Sequence, residues 1–489
     1  MKKQAPDSAP HGGGGDVPLS RRTLLAAAMA GAGLLLVAPA RVVSEATPLS
    51  VENATRLYTV EVARIVAPRS CEEVRRAVRD WPGAIAVGGA RYSMGGQVAI
   101  ALGLHIDMRR MNRLVWLRPE TKTVRVEAGM RWRDLQDHID GHQLSVRTMQ
   151  SFANFTVGGA VSVNAHGRYV GHGPVGHSVR ALQMVLADGQ VVETDRQRRP
   201  ELFRAAIGGY GAIGVITEVE LDLDDNARIE QRMTKMPLRD YPAWFEREVR
   251  PPEKACLLHN ADLLPPAFDE AWATNWCFSD KPVTVPERLI PRERTYRTEQ
   301  SLLWAVSELP NGDALQRKYV RPALFGKSDV VWRNHEASLD ARMLEPASRD
   351  ASTYVLQEYF IPAAQCLAFS ADMAQVIRTH GAKVLNVSIR HSPRDEVSML
   401  PWAREEVFSF VVYYKQGTDA AAKEAVGRWT REMIEAALKH GGTYYLPYQL
   451  HASAAQFAAA YPQAEAFRAV KRTVDPQGRL SNSLWQRYL

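Results

Sequence analysis

Three side chains in this 489-residue chain are of types, and in settings, that could act on a bound molecule. His166 closes a glycine-rich run that begins at Thr156 and passes through Gly158, Gly159, Ser162 and Asn164 to Gly167. Its small residues leave backbone N–H groups open to a close approach. Glu358 and Arg390 lie in the stretches 354–362 and 383–391, whose alternation predicts two strands, with Leu356, Glu358 and Phe360 sharing one face. An imidazole moves protons near neutral pH, a carboxylate accepts them, and a guanidinium orients oxygen atoms. Each residue also has a plainer reading. His166 can be a satisfied structural histidine. Glu358 and Arg390 can be a structural ion pair, because either is costly to bury alone.

The elements that must position these groups begin with the run 84–97. A short apolar stretch, 84–87, reads as a buried strand that ends in Gly88-Gly89, with Gly95-Gly96 following and Ser93 between the pairs. Such a turn can form a nest of N–H groups for a phosphate, though a glycine turn alone is also ordinary punctuation. Ser70 and Glu73 have the spacing of a capping box and open a helix to about Asp80. Strands are predicted at 104–107, 114–117 and 123–126, the last two as a hairpin, and a helix at 132–139. The segment 179–194 reads as a hairpin turning at Asp188-Gly189. After it Gly208, Gly209, Gly211 and Gly214 bridge a helix to a buried strand. A long amphipathic helix spans 420–439 and stops at Gly441-Gly442. The rhythm is α+β, and no clean GxGxxG leads straight into a helix, which argues against a nicotinamide fold.

Composition describes an ordinary globular protein of two or three domains. The formal charge is +7, and Lys2, Lys3, Arg21 and Arg22 against Asp7 and Asp16 place +2 of it in the leader. The other basic residues are interspersed with acids, so nucleic-acid binding has little support. Cys71, Cys256, Cys277 and Cys366 show no CxxC spacing, which argues against a zinc site. They read as buried small apolar residues, with a Cys256–Cys277 disulfide open if the protein is exported. Ser20-Arg21-Arg22-Thr23-Leu24-Leu25, an apolar stretch to Val37 and Ala38-Pro39-Ala40 read as a twin-arginine export signal over 1–40. The apolar run is shorter than the roughly 20 residues of a spanning helix. A cleaved signal is therefore expected, with a linker at 41–57, and an uncleaved anchor is the alternative. That route carries folded proteins, so it fits a cofactor loaded before export to the periplasm or the extracellular space.

The three glycine-rich segments, in this order and spacing over residues 58–225, resemble the FAD-binding domain of the vanillyl-alcohol oxidase / p-cresol methylhydroxylase superfamily. The resemblance implies a two-subdomain FAD-binding domain, then a cap of antiparallel sheet and helices over 226–440, and a segment 441–489 that returns to the FAD domain. It carries FAD contacts onto Gly88, Gly89, Ala90, Arg91, Tyr92, Ser93, Gln97, Thr156, Gly159, Ser162 and Ile216. Many members place a histidine, bonded to the flavin, just before the serine of the first turn. This chain has Tyr92 there, so FAD is expected to be held non-covalently.

The tail from Thr443 onward resembles the sugar-oxidising branch, which includes decaprenylphosphoryl-ribose oxidase and the aldonolactone and alditol oxidases. Tyr448 aligns where several of those carry a lysine near the flavin, and His451 or Arg390 are the alternative cations. The implied activity is oxidation of a CH–OH group of a polyol, sugar or sugar lactone. His166, Glu358 and Tyr448 are candidate bases, and Arg390 would orient oxygen atoms. Oxygen, a quinone or a cytochrome would take the electrons, and no metal is expected. The alternatives are a flavin-dependent reductase of an activated double bond or a flavin-binding protein without catalysis. Six tryptophans, Trp244, Trp272, Trp276, Trp304, Trp332 and Trp402, cluster in the cap. They suit either a carbohydrate-stacking pocket or core packing.

Overall fold

A computed structural model describes residues 49–489, apart from 326, 327 and 347. The leader with its twin arginines lies outside the described residues. Among those described, no helix is long and apolar enough to cross a membrane.

The chain first builds a small parallel sheet in which Leu104–Asp107 lies between Arg64–Val66 and Ile85–Gly88. The helix Cys71–Asp80 connects the two outer strands and turns Val74 and Val78 inward. Its cap is half a capping box. The Ser70 side chain accepts from Glu73 N, but the Glu73 carboxylate accepts from Arg69 N at 2.8 Å rather than from Ser70. The C-terminal segment adds to the same sheet: Ile85 N donates to Arg479 O at 2.7 Å and Ser481 N to Ile85 O at 2.9 Å.

A second, antiparallel sheet runs Val191–Asp195, Val179–Val185, Val215–Asp225, Thr123–Glu127, Leu114–Arg118, and Leu144–Val146 pairs with the far end of Val215–Asp225. Both expected hairpins are present in it. The helix Trp132–Ile139 buries Trp132, Leu135 and Ile139 against this layer. The second glycine-rich run, read only as a place of close backbone approach, holds a short helix, Val157–Ser162. Gly158 allows that helix to press on Ala128, whose Cβ lies 2.5 Å from where a Gly158 Cβ would stand.

The third sheet is the cap. Eight antiparallel strands follow the order Val330–Trp332, Arg228–Pro237, Glu270–Phe278, Cys256–Leu263, Val384–Ser392, Val407–Gly417, Ser352–Pro362, Thr443–Tyr444. The helices Cys366–Thr379 and Ala420–Lys439 bury Phe369, Met373, Trp429 and Met433 in the cap's core. Cys256 and Cys277, on adjacent strands, are bonded as a disulfide. That replaces the reading of both as simple apolar residues, while Cys366 is buried and free. Of the six cap tryptophans, Trp272, Trp276 and Trp402 are buried in the cores and Trp304 is exposed. None lines the cavity described next, so core packing accounts for the buried ones.

Candidate functional site

A cavity with an empty volume of about 1550 Å³ lies between the glycine turns and the cap sheet. The first glycine turn forms part of its wall through Gly89, Ala90, Arg91, Tyr92 and Ser93, and the second through Thr156, Gly159, Ser162 and His166. Glu358, Arg390 and Tyr448 line it from the cap and the C-terminal segment.

The turn is held by close backbone approach. A Cβ on Gly89 would stand 2.1 Å from Thr156 Oγ1, and one on Gly95 would stand 2.3 Å from Tyr448 O. A side chain at Gly95 would meet backbone, and one at Gly89 would force Thr156 to move. Gln97 ties the turn to the C-terminal segment: its Oε1 accepts from Gly95 N at 2.8 Å, and its Nε2 donates to Leu446 O and Tyr448 O at 2.7 Å each. Gln97 thus lines the cavity with its amide already engaged. Arg91 adopts a left-handed backbone, φ 62°, rare for a side chain of its size. Its Nη2 donates to Asp107 Oδ2 at 2.9 Å and contacts His105 Nε2 at 3.0 Å. Burial lowers the Arg91 pKa against the pull of Asp107.

Among the described residues, none accepts a hydrogen bond from the backbone N–H of Ala90, Arg91, Tyr92 or Ser93. Several buried polar atoms on cavity-lining residues also lack a partner: Arg91 Nε, Ser151 Oγ, Thr156 Oγ1 and Arg390 Nε. Leaving such atoms unsatisfied costs about 1–3 kcal/mol each. A cavity with open N–H groups at one turn and orphaned donors and acceptors along its walls fits a polar ligand with phosphates.

At the cap end His166 Nε2 lies 2.5 Å from Glu358 Oε1, with both side chains buried. His166 Nδ1 contacts Gly167 O at 3.3 Å. Two bare acceptors would repel at the Nε2–Oε1 distance, so a proton resides on one of the two atoms, although the contact lacks the alignment of a hydrogen bond. The ring sits among Trp402 at 4.9 Å, Phe360 at 5.5 Å and Tyr445 at 5.9 Å between centroids. Trp402 is fixed in turn by donating from Nε1 to Asn164 O at 2.9 Å. Burial pushes the Glu358 carboxyl up, but His166, Arg390 and Ser409 outweigh it and hold it below the usual carboxylate range. Burial lowers Arg390 against the attraction of Glu358.

Tyr448 donates to Glu358 Oε2 at 3.3 Å. Burial and the Glu358 charge raise its phenol well above 10. Tyr448 therefore remains a donor at neutral pH and is not suited to act as a base. Tyr92 stacks edge-on against Phe155, centroids 4.6 Å apart, and burial raises its phenol as well.

Three sequence expectations fall elsewhere. Gly88 is outside the cavity lining, because it packs on His105, whose Cε1 lies 2.5 Å from the position of a Gly88 Cβ. Ile216 pairs with Met184 within its sheet and does not line the cavity. His451 also lies outside it, packed near Gly427, and burial with Arg431 and Arg487 lowers its pKa to about 4. It is neutral and supplies no cation, whereas Arg390 is in the wall. Conversely, Gln150, Ser151, Phe155, Tyr354 and Tyr413 line the cavity without a signal in the sequence reading. The approximate two-residue alternation of 354–358 was the one available hint for Tyr354.

Residues 62–195 match the model of the FAD binding domain family. The chain is 28% identical to an alditol oxidase of Streptomyces sp. over 367 residues, which is 74% of this chain and 80% of that protein. It is 21% identical to the decaprenylphosphoryl-beta-D-ribose oxidase of Mycolicibacterium smegmatis over 444 residues, 85% and 91% of the two chains. Over 173 residues it is 31% identical to the L-gulonolactone oxidase of Mus musculus, 35% of this chain and 39% of that one. The matched family model covers both glycine-rich runs that line the cavity, including the open N–H groups of the first. The chain therefore carries, over residues 62–195, an FAD-binding domain.

Proposed function

We propose that this protein is an FAD-dependent oxidoreductase that oxidises a CH–OH group of a polyol, sugar or sugar lactone. The observation that carries the reading is the 2.5 Å approach of His166 Nε2 to Glu358 Oε1 inside the cavity walled by the FAD-binding turns. The names of the relatives, oxidases of an alditol, a lactone and a lipid-linked ribose, support the same substrate class. Bound FAD supplies the two-electron acceptor for the hydride of the carbinol carbon. The residues Ala90–Ser93, Thr156, Gly159 and Ser162, which line the cavity, would hold it.

This chain's own part is to place the alcohol and to move its proton. The Arg390 guanidinium, with Nε unpaired, orients the substrate oxygen. The Glu358–His166 pair takes the hydroxyl proton as the C–H bond breaks, since a base within hydrogen-bond reach is what that step requires. Tyr448 keeps Glu358 in place by donating to its other oxygen. Trp402, Phe360 and Tyr445 shield the imidazole from water. Anaerobic addition of alditols, aldoses and aldonolactones should bleach the flavin. If no member of a broad alcohol panel reduces it, the reading fails.

Non-covalent FAD belongs to the same proposal, supported by Tyr92 where a histidine would form the link. Acid precipitation should leave the yellow colour in the supernatant. Oxygen as the final acceptor is supported by the relatives' names as oxidases. Twin-arginine export is supported by the Cys256–Cys277 disulfide, since such bonds persist in oxidising compartments. Fractionation of cells carrying the full chain, with Arg21-Arg22 intact or replaced by lysines, tests it.

A further inference from the structure

The cavity-facing side of the cap sheet changes character along its strands. Glu358, Arg390, His166 and Tyr448 stand together at one end. Two residues back along Ser352–Pro362 comes Leu356, and two further back Tyr354, about 13 Å from Glu358 at the ordinary rise of a strand. On the neighbouring strand the register sets Tyr413 opposite Leu356 and Val411 opposite Glu358. All four of these residues line the cavity.

The two tyrosines do not offer their hydroxyls to it. Tyr354 OH pairs with Ser307 Oγ at 2.5 Å, and Tyr413 OH contacts Leu344 O at 3.4 Å. Their rings lie 5.7 Å apart, tilted at 36°. From the charged end, where Val411 stands beside Glu358, the wall thus runs on as leucine and ring carbon. Beyond these residues the cavity is lined by Glu345, which is exposed and marks the rim, and by Arg349, engaged with Thr353 Oγ1 at 2.6 Å.

We infer that, on the alcohol-oxidation reading above, the substrate is amphiphilic. Its carbinol, with any neighbouring oxygens, meets Glu358, His166 and Arg390, while an alkyl or aryl portion lies along Leu356, Val411, Tyr413 and Tyr354 towards the rim. A free polyol has a hydroxyl on every carbon. Those held against this wall would lose their water without a partner in exchange. A hydrocarbon portion instead gains about fourfold in affinity per buried methylene.

The test uses the FAD-loaded protein and 1-O-alkyl glycerols from methyl to octyl, with xylitol and sorbitol for comparison. The expected result is a kcat/KM that rises about fourfold per methylene until the wall is covered. Leu356→Asn should flatten that rise, and Val411→Ser serves the same purpose if the first variant folds poorly. A kcat/KM independent of tail length, or a slope unchanged in both variants, would overturn the inference and leave the wall to the cofactor alone. The Kd of the same ethers, read from protein fluorescence, separates this from failure of the oxidation reading. Length-dependent binding without flavin reduction supports the wall and defeats the alcohol reaction. Length-independent binding defeats the wall, whatever the chemistry.

Discussion

Replacing Glu358 with glutamine keeps its shape and removes the charge that faces His166 and Arg390. Loss of a positioned general base ordinarily costs about 10²–10⁴ in rate. We expect a fall of that size in kcat/KM for Glu358→Gln with FAD content preserved, measured by anaerobic flavin reduction and by absorbance per protein. Tyr448→Phe removes one donor to a buried carboxylate, a hydrogen bond worth about 1.5–3 kcal/mol. Its expected loss is roughly 10- to 100-fold. If Glu358→Gln reduces flavin as fast as the parent, Glu358 has no part in proton transfer. His166 was legible as a candidate from its glycine-rich setting, and Glu358 and Arg390 from strand alternation together with the family resemblance. Their meeting was not, because 192 positions separate His166 from Glu358 in the chain and only the closure of the cap brings Nε2 to 2.5 Å from Oε1.

At the scale of elements, the first turn depends on contacts that forbid a side chain. In Gly89→Ala the new Cβ would meet Thr156 Oγ1 at 2.1 Å. FAD occupancy of the purified variant should fall sharply, and Thr156→Gly in the same chain should restore part of it by removing the colliding hydroxyl. Occupancy equal to the parent in Gly89→Ala alone would show that the turn can shift without loss. Gln97→Ala leaves Gly95 N without its acceptor and frees the C-terminal segment at Leu446 and Tyr448. A stability loss of about 2–3 kcal/mol is expected, read as a shift in the denaturant midpoint. The glycine spacing made this turn visible in the sequence. The role of Gln97 as a tie, rather than a ligand contact, depends on a segment about 350 residues away and had no local trace.

Across the whole molecule, buried neutral histidines set the response to acid. His105 and His259, like His451, are lowered from 6.5 to about 4, each by burial first. His105 is also beside Arg91, and His259 lies between Tyr241 OH at 2.8 Å and Asn275 Oδ1 at 2.6 Å. Between about pH 6.5 and 4 the unfolded chain binds protons that the folded one refuses, so stability rises with pH across that window and is lost as pH falls through it. Each group contributes up to about 1.4 kcal/mol per pH unit. Urea midpoints should therefore drop steeply from pH 6.5 to 4.5, and His259→Gln should make the slope shallower. A flat profile over that range would mean the three rings are protonated in the fold.

The sequence by itself determined the α+β class, the capped helix at 71–80, the hairpins and the glycine turns, because each rests on neighbours within a few residues: periodicity, capping and freedom of φ. It also carried the resemblance to an FAD-binding domain, since three motifs in order are a one-dimensional signal. Only the tertiary structure decided that Gly88 and Ile216 pack away from the cavity and that His451 is a half-buried neutral ring rather than a cation. It alone set Tyr448 as a donor to Glu358 and laid an apolar wall beside the polar end. The physical reason is common to all of these. Burial, pKa and the partner of a polar atom depend on what other parts of the chain bring to it, and those parts here are hundreds of residues apart.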